Sequence, residues 1–168
     1  MFDRLKQDTY ALMRKSGQES LLMFAKLFLS EHLQCAPSEA HRKIYSILED
    51  ATRARGRKIA IAAPRDFGKS TLVTLIYVLY CIVYKVEQYI MLLSNTAGQA
   101  VNLLEHVKRE ATENEKLIEA FPEVFKQKPL IWRQNEVVFA NNVKIVGFGS
   151  GQQVRGRRHG TFRPTLVI

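Results

Sequence analysis

One short stretch of the chain places a glycine, a lysine and a hydroxyl in the order that phosphate-binding loops use. Residues 63–70, here called the phosphate loop, read Ala-Pro-Arg-Asp-Phe-Gly-Lys-Ser. They depart from the pattern G-x-x-x-x-G-K-[ST] only at Ala63, which replaces a glycine. In such loops Gly68 lets the backbone approach the phosphates, Lys69 reaches the β- and γ-phosphates, and Ser70 holds Mg²⁺. The stretch therefore predicts a nucleotide-phosphate site.

A second cation lies inside the same loop. Arg65 is placed three residues before Gly68, where a guanidinium would add positive charge near the γ-phosphate. The alternative interpretation is an accidental turn carrying a solvated arginine. If the site is real, the predicted nucleotide-binding residues are Ala63, Pro64, Arg65, Asp66, Phe67, Gly68, Lys69, Ser70 and Thr71.

The elements around the phosphate loop follow an alternating pattern. The apolar run Lys58–Ala63 predicts a buried strand, and residues 71–85 predict a helix that is apolar nearly all round. Gln88–Ser94 predicts a second buried strand, and residues 97–114 predict an amphipathic helix. Strand, helix, strand and helix in this order indicate a parallel sheet covered by helices.

The flanking regions complete the prediction. The first 50 residues predict helices, with Ser38 as a helix N-cap, and Pro122 breaks a later helix. Residues 135–149 predict a hairpin that turns at Asn141-Asn142, and residues 164–168 predict a last buried strand. One predicted helix face carries Leu21, Phe24, Ala25, Phe28 and His32, and another carries Ala100, Leu103, Leu104, Val107 and Ala111.

The charge of the chain points to a polyanionic partner. Its 25 Lys and Arg against 16 Asp and Glu give a net charge of +9. Four of these cations lie in residues 52–58 and four in residues 154–163, although both segments also suit solvated loops. The sequence contains no run of eighteen apolar residues, so no membrane span is predicted. Cys35 and Cys81 match no metal spacing, and a cytoplasmic location is expected.

The loop and two later segments together resemble one protein family. "APRDFGKST" is similar to the variant phosphate loop of phage terminase large subunits, in which an arginine precedes Gly-Lys-Ser/Thr by three positions. "YIMLLSNTAGQA" resembles the second strand and following helix start of that family. "VKIVGFGSGQQVRGRRHGTFRPTLVI" resembles its Arg-Gly segment and the strand after it. The resemblance covers about residues 40–168 and implies a P-loop NTPase fold, a three-layer sandwich with a mainly parallel sheet behind an N-terminal helical segment.

The resemblance also implies a function. Terminase large subunits hydrolyse ATP with Mg²⁺ to drive double-stranded DNA into a procapsid, in a homo-oligomeric ring that meets a small subunit and the portal protein. Lys69 and Ser70 would then bind the phosphates and Mg²⁺, and Arg65 would stabilise the γ-phosphate. Arg155 occupies the arginine-finger position, with Arg157 and Arg158 as rivals. The implied location is the cytoplasm of a bacterial or archaeal host.

Some parts of that family's machinery are not visible in the sequence. The two carboxylates that should follow the last strand, and the nuclease domain, are not found within 168 residues. The expectation is a helical segment at 1–52, a partial ATPase domain at 53–168, and negligible hydrolysis by this chain alone. Two alternatives stay open: another nucleic-acid motor such as a helicase, and a non-catalytic basic DNA-binding or assembly module with a relic phosphate loop.

Overall fold

The computed structural model describes residues 2–33, 35–54 and 56–168, apart from the side chains of residues 2 and 3. The chain divides into two compact units, Met1–Tyr80 and Cys81–Ile168. In the described residues, the first unit contains helices and no strand, and the second contains a five-stranded sheet with helices. The chain is therefore an α/β protein, as its sequence predicts. The predicted boundary after residue 52 stays a prediction, and Arg55 of the basic segment 52–58 lies outside the described residues.

The first unit is a set of helices, and its longest connection is the segment that leads from α3 to the helix of the phosphate loop. Its elements are α1 (Phe2–Glu19), α2 (Leu21–Phe28), a 3₁₀ turn (Ser30–His32), α3 (Glu39–Arg53), a π-helical segment (Thr71–Ile76) and the start of α4 (Tyr77–Val83). The division between the units falls within α4, after Tyr80. Residues 69 and 70 are already helical, so the helix that leads into α4 begins inside the phosphate loop.

The core of the first unit forms along the apolar face of α2. Leu21, Phe24 and Phe28 are buried there, as their helical spacing predicts. The Phe24 ring meets the Tyr80 ring edge-on at 5.6 Å, and the Tyr80 hydroxyl donates to the carbonyl oxygen of residue 18 at 2.9 Å. The prediction that His32 belongs to this face is wrong, because α2 ends at Phe28 and the chain turns there.

The second unit is organised around a mixed sheet. Its elements are β1 (Tyr89–Ser94), α5 (Ala97–Glu113), α6 (Glu115–Ala120), α7 (Pro122–Phe125), β2 (Ile131–Arg133), β3 (Glu136–Val138), β4 (Lys144–Gly149) and β5 (Leu166–Val167). The strand order is β2-β3-β4-β1-β5. β1 runs parallel to both β4 and β5, whereas β3 is antiparallel to β2 and β4. The expectation of a mainly parallel sheet is corrected, because the sequence did not indicate β2 and the hairpin that it adds.

The predicted strands and the predicted hairpin of the second unit are confirmed. β1 is buried over Tyr89–Leu92, and the last predicted strand appears as β5. The hairpin of β3 and β4 turns at residues 140–142, where Asn142 has a φ of 67°. The Asn141 side chain stabilises this turn, since its Oδ1 accepts from the Val143 N–H at 3.2 Å.

The predicted strand at Lys58–Ala63 is wrong. These residues have no strand assignment, and Lys58, Ile59 and Ala60 are exposed. A buried strand needs neighbouring strands to satisfy its N–H and C=O groups. The five strands of the structure all lie in the second unit, whereas residues 58–63 belong to the first, whose described part contains no strand. An apolar run alone therefore did not determine a strand here.

The long helix of the second unit covers the centre of the sheet. α5 starts at its N-cap Thr96, whose side chain accepts from the Gln99 N–H, and it packs on β1 and β4. Leu103 of its predicted face is only half-buried, and Lys108 is buried instead. The predicted break at Pro122 is confirmed, since α6 ends at Ala120 and Pro122 starts a new short helix. Among the described residues, no helix is both long and apolar enough to cross a membrane.

Candidate functional site

The phosphate loop is a tight turn in which two residues adopt left-handed backbone conformations. Asp66 has a φ of 61° and Gly68 a φ of 74°. The Gly68 conformation explains the glycine, since a Cβ there would meet no atom within 4 Å but would strain the backbone. Arg65 and Asp66 are exposed at the tip of the turn. The predicted nucleotide-binding residues 63–71 thus span this turn and the start of the following helix, and none of them is buried.

Lys69 closes the loop from the inside. Its ammonium donates to the carbonyl oxygen of Ala63 at 2.5 Å and also to that of Pro64. An ammonium has three N–H groups, so one donor is left for a further acceptor. The side chain is half-buried against the loop, which holds the positive charge between the two ends of the turn. Lys69 is therefore bound to the start of the loop, and its predicted contact with phosphates stays a prediction.

The helix that follows begins with backbone N–H groups that have no partner among the described residues. The first intrahelical bond runs from the Leu72 N–H to the Gly68 carbonyl oxygen at 2.9 Å. The N–H groups of Lys69, Ser70 and Thr71 therefore precede the repeating bonds of the helix, and such groups suit an anion. The next turn is π-helical over Thr71–Ile76, a geometry that is frequent at functional sites and that the sequence did not predict.

A histidine from α3 holds the loop from outside. The His41 ring stacks on the Phe67 ring at 4.2 Å with 12° between their planes. The Ser38 N–H donates to His41 Nδ1 at 3.1 Å, so the ring carries its proton on Nε2. Nε2 then donates to the Phe67 carbonyl oxygen at 3.0 Å. Sequence reasoning predicted Ser38 as the N-cap, which is confirmed, but it missed His41, whose only signal was its capping-box position three residues later.

A cavity of about 390 Å³ lies beside the loop within the first unit. Its lining includes Pro37, His41 and Tyr45 together with Phe67 and Thr71. The Tyr45 side chain is 2% exposed, and its hydroxyl has no hydrogen-bond partner among the described residues. Burial raises the pKa of Tyr45 to about 12, so the phenol stays neutral and remains a donor at physiological pH. The cavity therefore offers an aromatic lining, and the Tyr45 hydroxyl is buried behind it.

The candidate arginine finger lies in the second unit. Arg155 and Arg158 are exposed in the segment 150–163 that follows β4. The Arg157 guanidinium lies over the Phe148 ring at 5.0 Å, so this rival has a packing role as well. Burial raises the pKa of the Tyr89 phenol, and the nearby Arg157 charge opposes that shift. Arg155 is thus exposed to solvent, and it belongs to the second unit, whereas Lys69 belongs to the first.

A magnesium ion fits the loop only together with phosphates. The Ser70 side chain is exposed on the first helical turn, where it offers one hydroxyl oxygen. No group of three or more His, Cys, Asp or Glu suited to a metal occurs in the described part of the chain. Mg²⁺ usually keeps several waters and is held by one or two protein oxygens plus substrate phosphates. The donor set therefore suits a metal that arrives with a nucleotide, and Ser70 would be its protein ligand.

Comparison with known proteins adds no family assignment. No family model matches the chain, and no curated protein matches it significantly.

Proposed function

We propose that the chain is the N-terminal ATPase portion of a phage terminase large subunit and that it binds ATP with Mg²⁺. The observation that carries the proposal is the geometry of residues 63–70. Lys69 lies across a turn with a left-handed Gly68, and a helix with free N–H groups starts at that point. The resemblance of the loop and of the two later segments to terminases supplies the family. Nucleotide binding is proposed for the chain, and hydrolysis for the ATPase of which it is a portion.

The loop supplies three kinds of group to a triphosphate. The backbone N–H groups at the helix start would donate to the β-phosphate, and the third N–H of Lys69 would donate to the β- and γ-phosphates. Arg65, exposed at the tip, would add a bidentate donor to the γ-phosphate. When bound, Mg²⁺ would neutralise phosphate charge, and Ser70 would orient it through its hydroxyl. These roles use only groups that already face solvent or the inside of the loop.

The neighbouring cavity suits the nucleoside of the same ligand. Its volume of about 390 Å³ lies within the range of small-molecule sites, and it adjoins Gly68 and Thr71. The His41 and Phe67 rings, stacked on each other, both line the cavity, so a base would pack against an aromatic wall. Phosphate groups and base would then occupy adjoining parts of one site.

Double-stranded DNA is the polymer that we propose for the basic surfaces. The net charge of +9 and the exposed arginines at 155, 158 and 163 favour the phosphate backbone rather than base edges. The remaining proposals follow from the resemblance: a homo-oligomeric ring, the terminase small subunit, the portal protein, and Arg155 as the group that acts on a bound triphosphate. A host cytoplasm is the proposed location.

Titration calorimetry with Mg²⁺ and the slowly hydrolysed analogue ATPγS tests the nucleotide site. We expect saturable binding by the native chain and none by Lys69→Ala, because that change removes the charge inside the loop. Lys15→Ala is the matched control, since Lys15 is exposed on α1 and its removal changes the net charge equally. Equal affinity of the native chain and Lys69→Ala would refute the proposed site.

A salt series tests the DNA proposal separately. Affinity for a random-sequence duplex should fall steeply between 50 and 200 mM salt, because binding releases counterions. Replacing Arg155, Arg157 and Arg158 by alanine should lower the log–log slope by about 0.9 for each phosphate that the protein no longer neutralises. Removing Lys15, Lys26 and Lys43 instead keeps the net charge matched, and these three exposed residues lie outside both basic segments. A slope that falls equally in both variants would show that total charge, and not segment 150–163, governs binding.

A further inference from the structure

We infer that His41 is a positioning residue for the phosphate loop: it fixes the orientation of the Phe67–Gly68 peptide so that the Gly68 N–H remains available to a phosphate. The inference rests on the proposed function, since it concerns the ligand of that same site. It adds a residue from α3, 26 positions before the carbonyl that it holds, to the parts on which phosphate binding depends.

The orientation of this peptide is not fixed by the loop sequence. A trans peptide is planar, so its C=O and N–H point in opposite directions. Rotating the Phe67–Gly68 peptide by half a turn changes mainly the φ of Gly68 and the ψ of Phe67. Glycine populates positive and negative φ about equally readily. The present φ of 74° therefore needs a contact that selects it.

His41 supplies that contact through both ring nitrogens. Nδ1 accepts from the Ser38 N–H at 3.1 Å and is also 2.8 Å from the Ser38 hydroxyl oxygen, which anchors the ring to the start of α3. The proton is thereby placed on Nε2, which donates to the Phe67 carbonyl oxygen at 3.0 Å. The stacked Phe67 ring keeps the imidazole plane aligned with the loop.

The bond decides which end of the peptide dipole a phosphate meets. With the Phe67 carbonyl oxygen turned to His41, the Gly68 N–H points to the opposite side and adds a donor to those of the following helical turn. A rotated peptide would present a carbonyl oxygen there instead, and two negative groups would face each other. Losing His41 should therefore weaken phosphate binding even though His41 touches no phosphate.

Two amide side chains separate the two roles of the imidazole. Asparagine carries its oxygen near the position of Nδ1, so His41→Asn keeps the acceptor for Ser38 and loses the bond to the loop. Glutamine reaches with its amide nitrogen to about the position of Nε2, so His41→Gln keeps a donor for the Phe67 carbonyl. Leu48→Ala removes a buried side chain from the same helix and leaves Ser38, His41 and the loop bond unchanged. It is the control for loss of stability alone.

The experiment measures ATPγS and inorganic tripolyphosphate affinity with Mg²⁺ for these variants, with melting curves on the same samples. We expect His41→Asn to bind both ligands about tenfold more weakly. The ligand would lose one charge-assisted hydrogen bond, the one that the Gly68 N–H donates to a phosphate. His41→Gln should stay within about threefold of the native chain, and Leu48→Ala should melt earlier but bind normally. If His41→Asn does not fold, His41→Leu, which keeps contact with Phe67, takes its place against His41→Gln.

Two results would overturn the inference while leaving the nucleotide site intact. One is native affinity in His41→Asn. The other is a loss in Leu48→Ala as large as that in His41→Asn, because helix stability would then explain both. A native chain that binds neither ligand would instead refute the proposed function, and the role of His41 with it.

Discussion

Gly68 in the phosphate loop and Gly149 at the end of β4 are required for opposite reasons. A Cβ on Gly68 would have free space, but the backbone φ of 74° disfavours one. A Cβ on Gly149 would collide with the backbone N of Ala97 and lie 2.7 Å from the carbonyl carbon of Thr96. The loop glycine is thus needed for conformation, and the strand glycine for the close approach of α5.

The same contrast holds for the surroundings of the two glycines. β4 is hydrogen-bonded to β1 along its whole length, from the pair of Lys144 and Tyr89 to the pair of Gly149 and Ser94. α5 packs on both strands and holds β4 in place as well. The phosphate loop has no ladder, and its shape depends on the Lys69 ammonium and the His41 ring. The strand end is therefore held by many contacts that act together. The loop is held by a few side-chain bonds that a single substitution removes.

The largest effect is expected at the strand end. Gly149→Ala forces the start of α5 away from β4 and should cost about 3 kcal/mol of unfolding free energy or prevent folding. Gly98→Ala is the control, since a Cβ there meets nothing within 4 Å and alanine favours the helix. Urea unfolding measures both. A Gly149→Ala variant as stable as the native chain would refute the close approach.

The second-largest effect is expected at Tyr45, beside the loop, where the free energy of unfolding should depend on pH. Folding raises the Tyr45 pKa above its ordinary value of 10 to about 12, so the folded chain holds this proton more tightly. The contribution of the protonated Tyr45 phenol to the free energy of unfolding is fully present below pH 10. It should fall by roughly 2–3 kcal/mol as the pH rises through 12. Urea unfolding of the native chain and Tyr45→Phe between pH 8 and 12 measures the difference. A decline of equal size in both would contradict the burial of the hydroxyl.

The smallest effect is expected at the loop glycine. Gly68→Ala should cost about 1–2 kcal/mol, the strain of a left-handed residue with a Cβ. Gly68→Asn should cost less, because asparagine tolerates this conformation better. Thermal melts of the two variants test the order. If both are as stable as the native chain, positive φ is not required at residue 68, and the contrast with Gly149 would lose its basis.

The sequence predicted the parts of the molecule that local patterns determine. Apolar runs of the right length predicted β1 and β5, and helical spacing predicted α2 and α5. The run at 58–63 had the same appearance and formed no strand, because strand formation depends on a neighbour that no local pattern reveals. In the candidate site, Gly68 and Lys69 follow from their spacing. His41 and Tyr45 do not, because their roles arise from packing α3 on a loop more than twenty residues away.

The most direct test of the central claim is to follow the backbone amides of the loop by NMR during titration with Mg²⁺ and ATPγS. The account predicts saturable shifts of the Gly68, Lys69 and Ser70 amides in the native chain, and none in Lys69→Ala. The Val146 amide in the middle of β4 is the internal reference and should move little. Loop amides that stay unchanged at saturating nucleotide, or that shift equally in Lys69→Ala, would contradict the assignment of residues 63–70 as a triphosphate site.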